Sequence, residues 1–161
     1  MNVFRLCKAK YSSDLSGKGS ERYGGRWNSK GNAVVYTSES RALAVTELAV
    51  HNTLSIPPSN IKIVTIDIPD VVSIYQADTS NLPDGWRQFP HHLPTKTLGN
   101  LWLNHNEFLV MKVPSAVIEG DFNFLINPAH PDFHLIKILK TEDFNFDSRL
   151  FRQSNDYLTN Q

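Results

Sequence analysis

The sequence predicts one compact α+β domain built from several short strands and two main helices. Three observations lead there. The chain has 161 residues, which suits one domain with a sizeable core. Apolar residues make up 40% and aromatics 11% of it, too many for a disordered chain. Its apolar runs are mostly short and separated by Gly, Pro, Ser and Asn. Only two segments are long enough, and suitably patterned, for a helix. There are no repeats and no low-complexity blocks.

Val3 to Cys7 reads as a first strand, with Arg5 inside it. Tyr11 to Gly31 collects glycine, serine and charge and reads as a long loop, a common form for a binding loop. Ala33 to Thr37 is a second strand. A helix follows from Glu39 to about Leu54, with Ser38 as its cap and Glu39 placed favourably in its first turn. Pro57-Pro58 stops it. Ile61 to Ile68 is a strand, and Val71 to Tyr75 is expected to continue it past a kink at Pro69. Asn81 to Pro94 is a surface loop anchored by Trp86. Thr95 to His105 is the second helix, with Leu98, Leu101 and Trp102 at helical spacing. Glu107 to Val113, Phe122 to Ile126 and Phe133 to Leu139 are strands. The polar tail after Arg149 is expected to be loose.

Composition excludes several classes. The formal net charge is zero, which argues against tracking along nucleic acid. The single cysteine, Cys7, cannot form an intrachain disulfide. Met1-Asn2-Val3-Phe4-Arg5 lacks the pattern of a signal peptide, and no apolar run is long enough to cross a bilayer, so the expected location is cytoplasmic. His130-Pro131-Asp132-Phe133-His134 holds ligand-type residues, but Pro131 opposes the helix that would pair the histidines; no metal site is expected. Gly17-Lys18-Gly19-Ser20-Glu21-Arg22 lacks the third glycine of a dinucleotide fingerprint, and there is no Walker sequence.

The chemistry concentrates in a few residues. Gly24-Gly25-Arg26-Trp27-Asn28 is a pliable turn carrying a fixed charge and, with Tyr23, flat rings, which suits an anionic aromatic ligand such as a nucleotide. Glu47 shares a stripe with Leu43 and Val50 on a helix that is apolar nearly all round. A carboxylate there faces a pocket, pairs with an arginine or lies on the helix surface. Arg5, Arg22 and Arg26 are the arginines that would partner it or an anionic ligand. Tyr36, at the end of its strand, suits stacking on a flat ligand as well as it suits the core. Ser115 follows Pro114 in a turn, without a nucleophile elbow around it.

Three blocks, in order, resemble the RES-domain family, named for an Arg, a Glu and a Ser. They are Phe4-Arg5 with Arg22-Tyr23-Gly24-Gly25-Arg26-Trp27-Asn28 and Gly31; Val35-Tyr36-Thr37-Ser38 with Ala44, Glu47, Val50 and His51; and Val113-Pro114-Ser115-Ala116-Val117 leading to Asn123-Phe124-Leu125-Ile126-Asn127-Pro128, His130 and Pro131. The resemblance implies residues 1–150 as the RES domain, 151–161 as a tail, and a fold like that of the ADP-ribosyltransferases. It implies a toxin of a toxin–antitoxin pair that destroys NAD+ by cleaving its nicotinamide–ribose bond, with water or phosphate as acceptor. NAD+ is then substrate, and no cofactor is expected. The functional arginine falls on Arg5 and on Arg22 or Arg26, which would bind the pyrophosphate. The tyrosine falls on Tyr36, the glutamate on Glu47 and the serine on Ser115. Tyr36 or Trp27 would stack on a base, and Ser115 would bond the ribose or the acceptor.

The implied partner is an Xre-like helix-turn-helix antitoxin that occludes the active site. This chain carries no such element, so direct nucleic-acid binding is not expected of it. The loop from Asn81 to Pro94 is either an interface, leaving a homodimer open, or a cover for the core. ADP-ribose transfer to a macromolecule and non-catalytic nucleotide binding are the alternative functions.

Overall fold

The computed structural model describes residues 1–51, 58–91 and 93–151. Its strands are β1 (Asn2–Lys8), β2 (Val35–Ser38), β3 (Ile61–Asp67), β4 (Ile74–Gln76), β5 (Val110–Pro114), β6 (Phe122–Ile126) and β7 (Lys137–Phe144). Its helices are α1 (Lys18–Tyr23), α2 (Arg41–His51) and α3 (Leu93–His105). The seven strands form one sheet in the order β4-β5-β6-β2-β1-β3-β7. Its neighbours are antiparallel except β4 and β5, which run parallel. The α+β class expected from the sequence is the class observed.

Side chains alternate across a strand, so adjacent residues enter different cores. Val35, Val110, Phe124 and Ile126 join Val3, Val64 and Ile66 in one cluster. Their neighbours Val34, Met111 and Leu125 join Trp27, Val113 and Trp102 in the other. This explains why several short runs are apolar without interruption: both faces of the central strands are covered.

α2 rests on β1 and β2. Leu43, 1% exposed, and Ala44 are buried, and full burial of such a leucine contributes roughly 1.5–3 kcal/mol. The helix is not enclosed on every side, however, because Val50 is 60% exposed. Its cap also differs from expectation. Ser40 Oγ accepts from the Leu43 N–H at 3.0 Å, whereas Ser38 belongs to β2. Glu39 reaches across to accept the Phe122 N–H at 2.8 Å. The expected end of this helix near Leu54, and its stop at Pro57, lie outside the described residues, as does the tail from 152 onward.

Four other expectations change. The loop between Tyr11 and Gly31 contains α1, a helix too short and glycine-rich to show a period. Ser20 fastens it: its Oγ accepts from the Val34 N–H at 2.7 Å, and its one hydroxyl hydrogen faces the Val34 and Gly17 carbonyls, 2.7 and 2.9 Å away. β4 does not continue β3 but lies at the opposite edge of the sheet, beside β5. On α3 the buried positions are Thr95, Gly99 and Trp102, while Leu101 is 49% exposed. Residues Pro131–Leu135 form a 3-10 turn, with His130 Nδ1 accepting from the Asp132 N–H, so β7 begins only at Lys137.

Candidate active site

β1 pairs with β3 along its whole length but with β2 only at Phe4 and Ser38. The two strands therefore diverge in the middle of the sheet. A cleft of about 480 Å³ opens there, walled by Phe4, Arg5 and Leu6 from β1, Tyr36 from β2, Glu47 from α2 and the glycine turn. Its size fits the roughly 300–1,000 Å³ of small-molecule sites. Residues of both parities of β1 reach it, which a fully paired strand would not allow.

Glu47 stands on the inner face of α2, three residues after the buried Ala44. Its Oε1 accepts from Ser115 Oγ at 2.8 Å and from Asn123 Nδ2 at 2.6 Å. Ser115 is 1% exposed and sits behind the carboxylate, outside the cleft wall. Its Oγ also accepts the Val117 and Ile118 N–H groups, at 3.1 and 3.0 Å. Its only hydroxyl hydrogen is thus directed at Glu47, and not at the ribose or acceptor for which sequence reasoning reserved it.

The glycine turn is pinned by Tyr36. The Tyr36 hydroxyl accepts the Trp27 N–H at 3.1 Å and donates to Asn28 Oδ1 at 2.6 Å. Asn28, 0% exposed, in turn donates to the Ser20, Ser29 and Asn32 carbonyls. A Cβ on Gly25 would lie 2.5 Å from the Tyr36 hydroxyl, so glycine is needed for this contact. Burial raises the Tyr36 pKa above its ordinary value, against the opposing pull of the Trp27 N–H and Arg26. The ring lines the cleft, but its polar end is used internally.

Tyr36→Phe strands the buried Asn28 oxygen and Trp27 N–H, and is expected to destabilise the fold by about 1–3 kcal/mol in urea unfolding. The raised pKa fixes the sign of a pH effect. Tyr36 contributes stability below the ordinary tyrosine pKa of about 10, and that contribution fades above it as the unfolded chain ionises. The stability gap between wild type and Tyr36→Phe should therefore shrink above pH ~10.

The three arginines separate. Arg5 lines the cleft and its Nη1 donates to the Asp14 carbonyl at 2.6 Å. Arg26 also lines the cleft, and its Nη1 donates to the Trp86 carbonyl and, at 3.0 Å, to that of Gln88. Arg26 thereby holds the Trp86 loop down, with the Trp86 ring 6.2 Å from that of Trp27. Burial lowers the Arg26 pKa, and the nearby Glu47 counters it. Arg22 is exposed, lies over the Tyr23 ring at 5.3 Å and is not part of the wall. Trp27 reaches the cleft but is 3% exposed, chiefly a core residue.

Sequence reasoning placed Asn28 and Asn123 only within the family blocks and gave Ser38 the role of a helix cap; the hydrogen bonds that define what Ser38 and Asn123 do join distant parts of the chain. Among the described residues no group of three or more His, Cys, Asp or Glu is placed to hold a metal ion. Also among them, no helix is long and apolar enough to cross a membrane.

A single α+β domain with a cleft where its central strands diverge, lined by a carboxylate from α2 and by arginines from β1 and the glycine turn, defines the class. The chain belongs to the RES domain family, whose model matches residues 2–147. It is 39% identical over 145 residues to the "Prs ADP-ribosylating toxin" of Sphingobium sp., covering 89% of this chain and 90% of that protein. It is 40% identical over 141 residues to the "Toxin Res" of Pseudomonas putida, covering 86% and 94%. Another "Toxin Res", of Yersinia enterocolitica, is 34% identical over 152 residues, covering 93% and 99%. In structure the chain is similar to one from the M. tuberculosis MbcT–MbcA toxin–antitoxin complex, with a TM-score of 0.74 over 93% of this chain and 86% of that one. That likeness, at 17% identity, concerns the fold.

Proposed function

We propose that this chain is a toxin that consumes NAD+. The observation that carries the reading is the Glu47 carboxylate, tethered at 2.8 and 2.6 Å, on a cleft that two arginines and several rings also line. Anionic and aromatic parts of one ligand meet suitable partners there: Arg5 and Arg26 for the pyrophosphate, Tyr23 and Tyr36 for the flat bases. The toxin names of the relatives support the same reading.

The chemistry follows from the charge. The bond between the ribose C1′ and the nicotinamide nitrogen breaks, and its electron pair stays on nicotinamide, which leaves neutral and needs no proton. The ribose is left cationic, as in glycoside cleavage. Glu47 stabilises that cation and holds a ribose hydroxyl. An oxygen of water or phosphate then bonds to C1′, releasing ADP-ribose or its phosphate; for water, the displaced proton passes to solvent.

Purified protein mixed with NAD+ is expected to release nicotinamide with water or phosphate present. Equal inertness of wild type and Glu47→Gln with water, phosphate and protein acceptors would falsify the reading. A second reading, transfer of ADP-ribose to a macromolecule, is favoured by the relative named as ADP-ribosylating. NAD+ labelled in the adenylate half separates them: label on a macromolecule indicates transfer, and free labelled ADP-ribose or its phosphate indicates degradation. An Xre-like antitoxin that covers the cleft is the proposed partner, and its addition should stop nicotinamide release.

A further inference from the structure

We infer that Asn123 is a positioning residue for the Glu47 carboxylate, held in its donating orientation by Ser38; this rests on the functional reading above. The sheet register puts Ser38 and Asn123 directly opposite each other on β2 and β6. Ser38 Oγ donates to Asn123 Oδ1 at 2.8 Å, and Asn123 Nδ2 donates to Glu47 Oε1 at 2.6 Å. Both ends of the amide are therefore assigned. Turned over, the amide would set its oxygen against a carboxylate oxygen, and the Ser38 hydroxyl would have to reverse as well.

The placement is not needed for the sheet. The Asn123 backbone lies in register with Ser38 on one side and Val113 on the other. Asparagine is among the poorer strand formers, yet it stands inside β6 between Phe122 and Phe124. A local rule broken without gain to the fold points to the site it faces. That site is the cleft, whose wall includes Asn123. With Ser115, Asn123 makes two short side chains on β-framework that converge on one oxygen of a long, flexible one. A glutamate on α2 is thus referenced to Asn123 of β6 and to Ser115, the residue just after β5; the two strands also line the cleft through Asn123 and Pro114.

The test measures kcat and KM for nicotinamide release, with thermal unfolding of every variant. Asn123→Ala should lower kcat by about 10–100-fold, the scale of a misplaced reacting group, with KM changed less than about twofold. Asn123→Asp is nearly isosteric but sets an acceptor where the donor was, so it should fall below Asn123→Ala. Ser38→Ala, which only frees the amide to turn, should lose less than either. In a Glu47→Gln background, Asn123→Ala should cost nothing further, because it acts through Glu47. A folded Asn123→Asp or Ser38→Ala with wild-type kcat overturns the inference, as does a loss confined to KM or one that adds in full to Glu47→Gln. Should Asn123→Ala fail to fold, those two variants decide alone. An inert wild type overturns the functional reading and this inference together, whereas an active wild type with unaffected Asn123 variants overturns the inference only.

Discussion

Glu47→Gln is expected to cut nicotinamide release from NAD+ by about 10²–10³-fold or more, the scale of losing one preorganised electrostatic group. The substitution changes charge and little else. A glutamine amide oxygen can still accept from Ser115 Oγ and Asn123 Nδ2, which now bond Glu47 at 2.8 and 2.6 Å. The side chain should stay where it is, so the loss measures the carboxylate charge and not its geometry. Thermal unfolding should be unchanged within a degree or two, or slightly raised, because a half-buried charge has been removed. NAD+ affinity in equilibrium binding should change far less than kcat, since the cation that Glu47 stabilises exists only after the bond begins to break. A fall of less than tenfold in an assay where the wild type is active would exclude the carboxylate from the chemical step.

Gly99→Ala is expected to carry the largest cost in stability, beyond the roughly 1–3 kcal/mol of ordinary overpacking. α3 crosses the glycine turn at Gly99, where a Cβ would stand 1.7 Å from the Trp27 carbonyl oxygen and 2.7 Å from its carbon. Both are backbone atoms, so no side chain can turn aside and the helix itself must shift. The gain in helix propensity, about 1 kcal/mol, does not offset that. Moving α3 also disturbs Asn100, the next residue. Its Oδ1 accepts the Ser29 N–H at 3.0 Å and Asn32 Nδ2 at 2.9 Å, and its Nδ2 donates to Ser29 Oγ at 2.8 Å. The turn that presents Arg26 should loosen, and KM for NAD+ should rise along with the loss of stability. Urea unfolding checks the first effect and steady-state kinetics the second. Gly19→Ala is the control: nothing lies within 4 Å of a Cβ there, so it should be neutral or stabilising.

Legibility followed physical range. The runs that became β5 and β6 could be read because a strand buried on both faces shows itself as local composition. Glu47 could be found because a helix places residues three and four apart on one stripe, a local rule. The cap of α2 was misplaced because Ser38, Glu39 and Ser40 are all polar. The pairing of β2 with β6 and β1 decides that Ser38 belongs to the sheet. β4 was misassigned because its sequence neighbour is β3 while its pairing partner is β5, near Val110. α1 carries too few turns to establish a period.

The order of residues by itself determined the class of the domain, its main strands, the pliable Gly24-Gly25 turn and the family blocks that single out Arg5, Tyr36, Glu47 and Ser115. Those features reside in neighbouring residues or in motif spacing. Tertiary structure decided what each side chain does: Ser115 backs Glu47, Tyr36 ties the turn, Arg26 clasps the Trp86 loop and Arg22 stands outside. The roles of Ser115 and Arg26 depend on hydrogen bonds whose two ends only folding brings together, 68 and 62 residues apart in the chain. No local pattern encodes such a distance.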